Sequence, residues 1–335
     1  MKILFVDDGY PHPYDERSLS TEGLGGTEAS LIRVAEALGG RGYQVAVHHH
    51  FRDDDRVGQS NADYLSNAGA ATHPVANTPD VIVVEKWYRL LPELRRRHPR
   101  AALVVWLHAL PVATASADLA PALAANATLV TVSEFHRQRL LSFWPSASKS
   151  RWPEVVPIHE PVGDDLAPDG TEVDPDQLVF LGSPHKGLEQ VLAVFSELRR
   201  HRPTARLLLA RPAYSKPSGP PPPGVEKLGI RPHPEVLELL RRSFCLFYPQ
   251  AVFEETFGLV FAEANSVGTP VLTHPHGAAP EVLDSNQLVD CREPERPVAK
   301  LLDWYARGRP KVTGKNAYRL SYVIDQWEAL FRRAV

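Results

Sequence analysis

The chain has 335 residues, too many for one ordinary core and suited to two domains of about 150 residues each or to one large barrel. Its 43% hydrophobic and 23% charged content is that of a globular protein and excludes global disorder. The balance of 37 basic against 40 acidic residues gives no reason to expect nucleic acid as the main partner.

Taken in chain order, residues 3–6 are an apolar run that stops at Asp7 and Asp8. That run is too short for a signal peptide and reads as a first strand. A helix follows over residues 27–38, with Leu31, Val34, Ala35 and Leu38 on one face; the glycine-rich residues 39–42 end it. Further strands are expected at residues 44–47, 81–84, 103–107 and 129–132. Alternation of such buried-type strands with helices implies an α/β fold with a parallel, doubly wound sheet.

Residues 160–177 are rich in proline, glycine and acid and lack apolar periodicity, which places the domain boundary there. The pattern restarts with strands at 178–181 and 205–209, a helix at 188–200 between them, and strands at 246–248 and 270–273 after the proline-rich stretch 216–224. The expected organisation is an N-terminal Rossmann-like domain over 1–162, a linker over 163–177 and a C-terminal Rossmann-like domain over 178–315. The C-terminal segment 316–335 has helical spacing of Leu320, Val323, Ile324, Trp327, Leu330 and Phe331. Ligands of open α/β sheets bind beyond the carboxyl ends of strands, so two such domains are expected to face a central cleft.

Only Cys245 and Cys291 are present, which excludes a disulfide scaffold or a Cys-rich metal site and suits the reducing cytoplasm. No run approaches the roughly 20 apolar residues of a transmembrane helix; any membrane contact is expected to be peripheral, at the inner face. The basic clusters at 95–100 and 199–202 sit at helix ends, where cations suit the dipole, and an anionic membrane surface is their other reading. The three consecutive histidines 48–50 alternate across a strand and make a poor chelate. The Asp-x-Asp patterns within 53–55 and 174–176 are read as solvated loops, and no metal site is expected.

Chemistry concentrates in residues 248–265, a strand end, a loop and a helix start. Gly258 allows close approach to the backbone, and the amides of residues 257–260 offer an anion a site at a helix mouth. Glu255 and Glu263 are eight residues apart, about 12 Å if the chain between them is helical. Carboxylates so spaced share neither a proton nor a small metal ion, but can grip hydroxyls at the two ends of a long ligand; their other reading is as ordinary surface glutamates. Gly25 and Gly26 precede a helix, where they hold an acceptor or a pyrophosphate, or serve as turn glycines. Lys186, in a turn between Gly182 and Gly187, is placed to neutralise charge on a departing diphosphate. His108 follows the strand at 103–107, on the ligand side of the sheet.

Glu255, Thr256, Phe257, Gly258, Leu259 and Glu263, followed by Gly268, Thr269, Pro270, Val271 and by residues 277–281 (Gly-Ala-Ala-Pro-Glu), resemble the retaining GT-B glycosyltransferases of family 4. Other stretches match in order. Residues 24–28 (Leu-Gly-Gly-Thr-Glu) look like that family's N-terminal glycine loop, Ser133 and Glu134 like its serine–glutamate turn, and residues 180–187 like its phosphate-binding turn. The resemblance implies two Rossmann-like domains, an α-linked product, a UDP-sugar or GDP-sugar donor, a hydroxyl acceptor and no essential metal. It also implies that Glu255 touches the donor sugar, Glu263 the ribose and the amides around Gly258 the diphosphate. In addition, His108 would contact the transferred sugar, and the last helix would cross back to the first domain. One position departs: where the family usually has an arginine, just after the turn glycine, this chain has Ser183. Either Arg211, at another strand end, replaces that cation, or turnover is weak. The rivals are a non-catalytic GT-B module that binds nucleotide or glycan, and a sugar-nucleotide epimerase or hydrolase on the same fold.

Overall fold

A computed structural model describes residues 1–86, 88–110, 120–143, 152–211 and 221–335. It divides into two compact units: residues 1–17, 27–161 and 320–335 form the first, and 18–26 with 162–319 the second.

Among the described residues the first unit is built on an eight-stranded sheet. Its strands are β1 (Lys2–Asp7), β2 (Gln44–His49), β3 (Arg56–Val57), β4 (Ala62–Leu65), β5 (Val81–Glu85), β6 (Ala102–Leu107), β7 (Thr128–Thr131) and β8 (Val155–Pro157). They lie in the order β3-β4-β2-β1-β5-β6-β7-β8, all parallel except the β3–β4 edge pair. The central strands are buried on both faces, which explains their nearly continuous Val, Ile and Leu. The short strands β3 and β8 at the two edges, and β4 beside β3, carry no such run and were not expected. The helix Gly26–Gly40 includes Gly39 and Gly40; the reversal falls at Gly42, whose φ is +87°.

The helix Leu320–Ala334 packs within this first unit. Trp327 is fully buried edge-on against Trp106 of β6, with ring centroids 4.8 Å apart, and Arg41 pairs with Asp325. The turn before it belongs to the other unit: Val162 N–H donates to the Tyr318 carbonyl.

The second unit carries β9 (Asp174–Leu181), β10 (Arg206–Arg211), β11 (Val225–Ile230), β12 (Ser243–Tyr248) and β13 (Val271–Thr273). They form a parallel sheet in the order β11-β10-β9-β12-β13. Strand β9 begins at Asp174, so the second Asp-x-Asp pattern is not a solvated loop: Asp174 pairs with Arg206 and Asp176 with Arg202. The first pattern lies in a turn, but Asp55 accepts the backbone N–H and hydroxyl of Ser66, both at 2.8 Å. Of the proline-rich stretch, residues 216–220 lie outside the described residues. No helix among the described residues is long and apolar enough to cross a membrane.

Candidate functional site

Register assembles the site of the second unit. In the parallel ladder Leu246 of β12 pairs with Val179 of β9, and Leu181 of β9 pairs with Ala210 of β10. The chain therefore leaves three adjacent strands on one edge of the sheet, where residues far apart in sequence meet. After β9 comes the turn holding Ser183 and Lys186; after β12 comes the loop holding Glu255. The Lys186 ammonium lies 2.9 Å from both carboxylate oxygens of Glu255 and 5.0 Å from the ring centroid of Phe253. Tyr248, the last residue of β12, donates its hydroxyl to Glu255 Oε1 at 2.7 Å. Its ring is stacked on Phe180 and set edge-on to Phe261.

Glu255 and Glu263 are both buried, at 8% and 5% exposure, so neither is an ordinary surface glutamate. The helical spacing expected between them does not hold, because the helix starts only at Leu259. Gly258 is its N-cap, in the left-handed region with φ +81° and no side-chain cap. A Cβ at Gly258 would lie 2.6 Å from the Phe261 ring, so glycine meets both a conformational and a steric demand. Gly258→Ala is expected to lower stability by about 1–3 kcal/mol, which urea denaturation would read as a lower midpoint at unchanged slope.

Phe257 is fully buried against Tyr318, so only its backbone can serve a ligand. Thr256 is half-buried, and Leu259 is buried in the first turn of the helix. The Glu255 carbonyl accepts the Ala278 N–H at 2.9 Å, and a Cβ at Gly277 would meet Glu255 backbone at 2.7 Å. The loop after β13 thus clamps the Glu255 backbone. Tyr248→Phe removes a bond to a carboxylate worth roughly 1.5–3 kcal/mol. The loss should appear as a lower urea midpoint at unchanged slope.

Ser183 is buried, its hydroxyl without a hydrogen-bond partner, and its carbonyl accepts the Lys186 N–H at 3.0 Å. The side chain of Ser183 thus leaves the charge of the absent arginine unreplaced. Arg211 ends β10 and, with Lys227, Phe180, Gly182 and Leu209, lines a cavity of about 230 Å³. Sequence reasoning did not single out Lys227, Tyr248 or Phe253. Nor did it find His233, whose Nε2 lies 2.8 Å from Glu263 Oε1.

In the first unit, acid and base gather at the carboxyl ends of β1, β5 and β6. His108 is buried with Nδ1 3.0 Å from Glu160 Oε1 and Nε2 3.2 Å from Glu85 Oε2. A neutral imidazole would turn a lone pair toward one of those carboxylates; the doubly protonated ring donates from Nδ1 to Glu160 and faces Glu85 as an ion pair. Burial works against that charge, but Glu85 and Glu160 override it and raise the pKa to about 9. Glu85 is itself held above the usual carboxylate range by burial, with His108 pulling it back. Lys86, at φ +64°, pairs with Glu28 at 3.4 Å, and its pKa is raised: burial opposes the charge, while Glu28, Glu85 and Asp7 favour it. His136, three residues after the Ser133 N-cap, is the opposite case. Burial first and the His108 charge second lower its pKa to about 4. The neutral ring donates from Nε2 to the Ala109 carbonyl at 3.1 Å. Gly25 and Gly26 are both grouped with the second unit, and Gly26 is also the first residue of the helix Gly26–Gly40, the rest of which lies in the first unit.

Sequence reasoning did not single out Glu85, Lys86 or Glu160. The first two follow the apolar run 81–84, and Glu160 opens the acidic, aperiodic stretch 160–177. The usable signal was a charged pair placed immediately after a buried strand.

Residues 221–320 match the family model described as Glycosyl transferases group 1. That stretch covers less than a third of the chain and falls almost wholly in the second unit. The D-inositol 3-phosphate glycosyltransferase of Segniliparus rotundus is 34% identical over 190 residues, covering 49% of this chain and 41% of that protein. The aligned part therefore spans less than half of that relative's length. Among solved structures, the sucrose-phosphate synthase of Thermosynechococcus elongatus superposes with a TM-score of 0.71 at 18% identity, covering 99% of this chain and 98% of that one. Anabaena HepE, solved in complex with UDP-glucose, gives 0.70 at 16% identity, covering 99% and 100%. These superpositions give the chain the GT-B fold, with its two α/β sheets parallel except for the β3–β4 pair.

Proposed function

We propose that this chain transfers a sugar from a nucleoside diphosphate donor, of the UDP-sugar type, to a hydroxyl acceptor with retention of anomeric configuration. The observation that carries the reading is the ammonium of Lys186 held by Glu255 beside the uncapped helix start at Gly258. A cation and a helix N-terminus together form an anion site. The donor's diphosphate would take the Lys186 ammonium and the first-turn amides, leaving Glu255, still held by Tyr248, to accept sugar hydroxyls. Glu263 would take the ribose. The cavity beside Arg211 and Lys227 suits a nucleobase, with apolar faces for stacking and cations at its wall.

Catalysis in this reading is positioning together with stabilisation of the departing diphosphate. The glycosidic bond to phosphate breaks, the acceptor oxygen bonds to the anomeric carbon on the same face, and a phosphate oxygen takes the acceptor proton. No side chain has to act as a strong base, and the resemblance implies no metal. His108 would contribute as a fixed cation in the acceptor-side unit, since both ring nitrogens already face carboxylates. UDP-glucose in complex with HepE, and UDP with GlcNAc in the pneumococcal O-GlcNAc transferase GtfA, support the donor class.

A binding-only module is the second reading, and Ser183 in place of the usual arginine favours it. Incubating the purified chain with UDP-glucose, UDP-GlcNAc and GDP-mannose, with and without EDTA and pooled sugar acceptors, separates the readings. Acceptor-dependent UDP release and an α-linked product are expected. Binding without any turnover would replace transfer with the binding role, and turnover without an acceptor would point to an epimerase or hydrolase.

A further inference from the structure

Glu263 has a dedicated holder. It lies in the helix Leu259–Ser266, which packs against the helix His233–Arg242. His233 is the first residue of the latter helix, and Pro234 follows it in the first turn, where a fixed φ suits a helix start. The far end of that helix is pinned, since the Leu240 carbonyl accepts the Thr269 hydroxyl at 2.7 Å and Leu240 itself is fully buried. With its backbone fixed at both ends, the helix presents the imidazole to Glu263 Oε1 at 2.8 Å. The glutamate side chain is 6% exposed and the histidine 26%, so the histidine closes the solvent side of a nearly buried carboxylate.

We infer that His233 is a positioning residue for donor recognition, holding the Glu263 carboxylate in the orientation that receives the ribose diol. The inference rests on the donor reading given above. A glutamate carries rotamer freedom that is lost when it is held in one orientation; the hydrogen bond from His233 meets that cost before the donor arrives. Oε1 can accept the imidazole and a hydroxyl together, because an ionised carboxylate has about four acceptor sites. The gain is specific to a ligand with a diol, since a nucleotide lacking it makes no use of an oriented carboxylate.

The test is a double-mutant cycle on the full chain with His233→Ala, Glu263→Ala and the pair, measuring UDP and 2′,3′-dideoxy-UDP binding by calorimetry. Wild type should prefer UDP. His233→Ala should lose about tenfold in UDP affinity, the equivalent of 1.4 kcal/mol, and nothing for the dideoxy compound. The double variant should bind UDP no more weakly than Glu263→Ala alone, because residues acting through one contact are not additive. His233→Asn, which keeps a donor, should recover part of the loss and guards against a folding defect. In turnover, the loss should appear in KM for the donor and not in kcat. Equal loss for both nucleotides in His233→Ala, or additive losses in the double variant, would overturn the inference while leaving the donor reading intact. A wild type that does not bind UDP, or a Glu263→Ala variant that binds it normally, would overturn the donor reading and this inference with it.

Discussion

Lys186→Ala is expected to lower turnover by roughly 100- to 1,000-fold, the usual effect of removing one electrostatic group aimed at developing charge, while donor KM changes much less. The asymmetry follows from the resting geometry. The ammonium is neutralised by both oxygens of Glu255 before any donor arrives, so ground-state binding gains only the difference between two anionic partners. As the glycosidic bond breaks, charge accumulates on the diphosphate and the balance moves toward it. Lys186→Arg should keep more activity than Lys186→Ala, since the charge is retained. Glu255→Gln should behave in the opposite sense. It loses turnover because the sugar contact is weakened, but it binds free UDP as tightly as wild type or more so, because the lysine charge is no longer offset. Steady-state kinetics with isothermal calorimetry on these variants checks both limbs. Unchanged kcat in Lys186→Ala would remove the lysine from the mechanism.

The second large effect concerns pH and the first unit. The pKa of His108 is raised from 6.5 to about 9 in the folded chain. The folded state therefore binds the proton more tightly than the unfolded chain does. Its contribution is fully present below about pH 6.5 and is lost as pH rises through about 9, amounting to on the order of 3 kcal/mol at about 1.4 kcal/mol per pH unit. Glu85, also raised, loses stability in the same direction as pH climbs above the usual carboxylate range. His136 runs the other way: its lowered pKa gives stability that is present above about pH 6.5 and lost as pH falls toward 4. The two histidines together place the optimum of this region near neutrality. Chemical denaturation at pH 6, 7.5 and 9 should show wild type losing stability across the series. His108→Gln should be less stable at pH 6 by about 3–5 kcal/mol, because Glu85 and Glu160 lose their shared cation. It should also be nearly flat from pH 6.5 to 9, the window assigned to His108. A wild type as flat as the variant would show that His108 is not held as a cation.

What could be read from the sequence follows its physical periodicities. The central strands were visible because burial on both faces demands runs such as residues 81–84 and 103–107, whereas β3, β4 and β8 are too short and mixed to announce themselves. Gly258 and the two glutamates of the second unit stood out because a left-handed N-cap and paired carboxylates leave residue-type signals. Their partners did not, since sheet register brings them from afar. Lys186 and Glu255 are 69 residues apart, His108 and Glu160 52, and His233 and Glu263 30. No local pattern specifies such pairs. The strand-end position of His108 is legible in the same way, but the carboxylates of Glu85 and Glu160 beside its ring are not. Asp174 and Asp176 illustrate the reverse error: a polar composition suggested a loop, while Arg206 and Arg202 allow those aspartates to open a strand.

The central claim is that a nucleoside diphosphate binds at the helix start beside Lys186 and Gly258. Thermal unfolding with UDP in the presence of EDTA tests it most directly, because a ligand that binds only the folded state stabilises it by mass action. At about 100 times its dissociation constant, UDP should add about 2.7 kcal/mol and raise the melting temperature of the wild type by several degrees. Uridine, which lacks the diphosphate, should do much less. No shift with UDP, GDP or ADP at millimolar concentration would contradict the account.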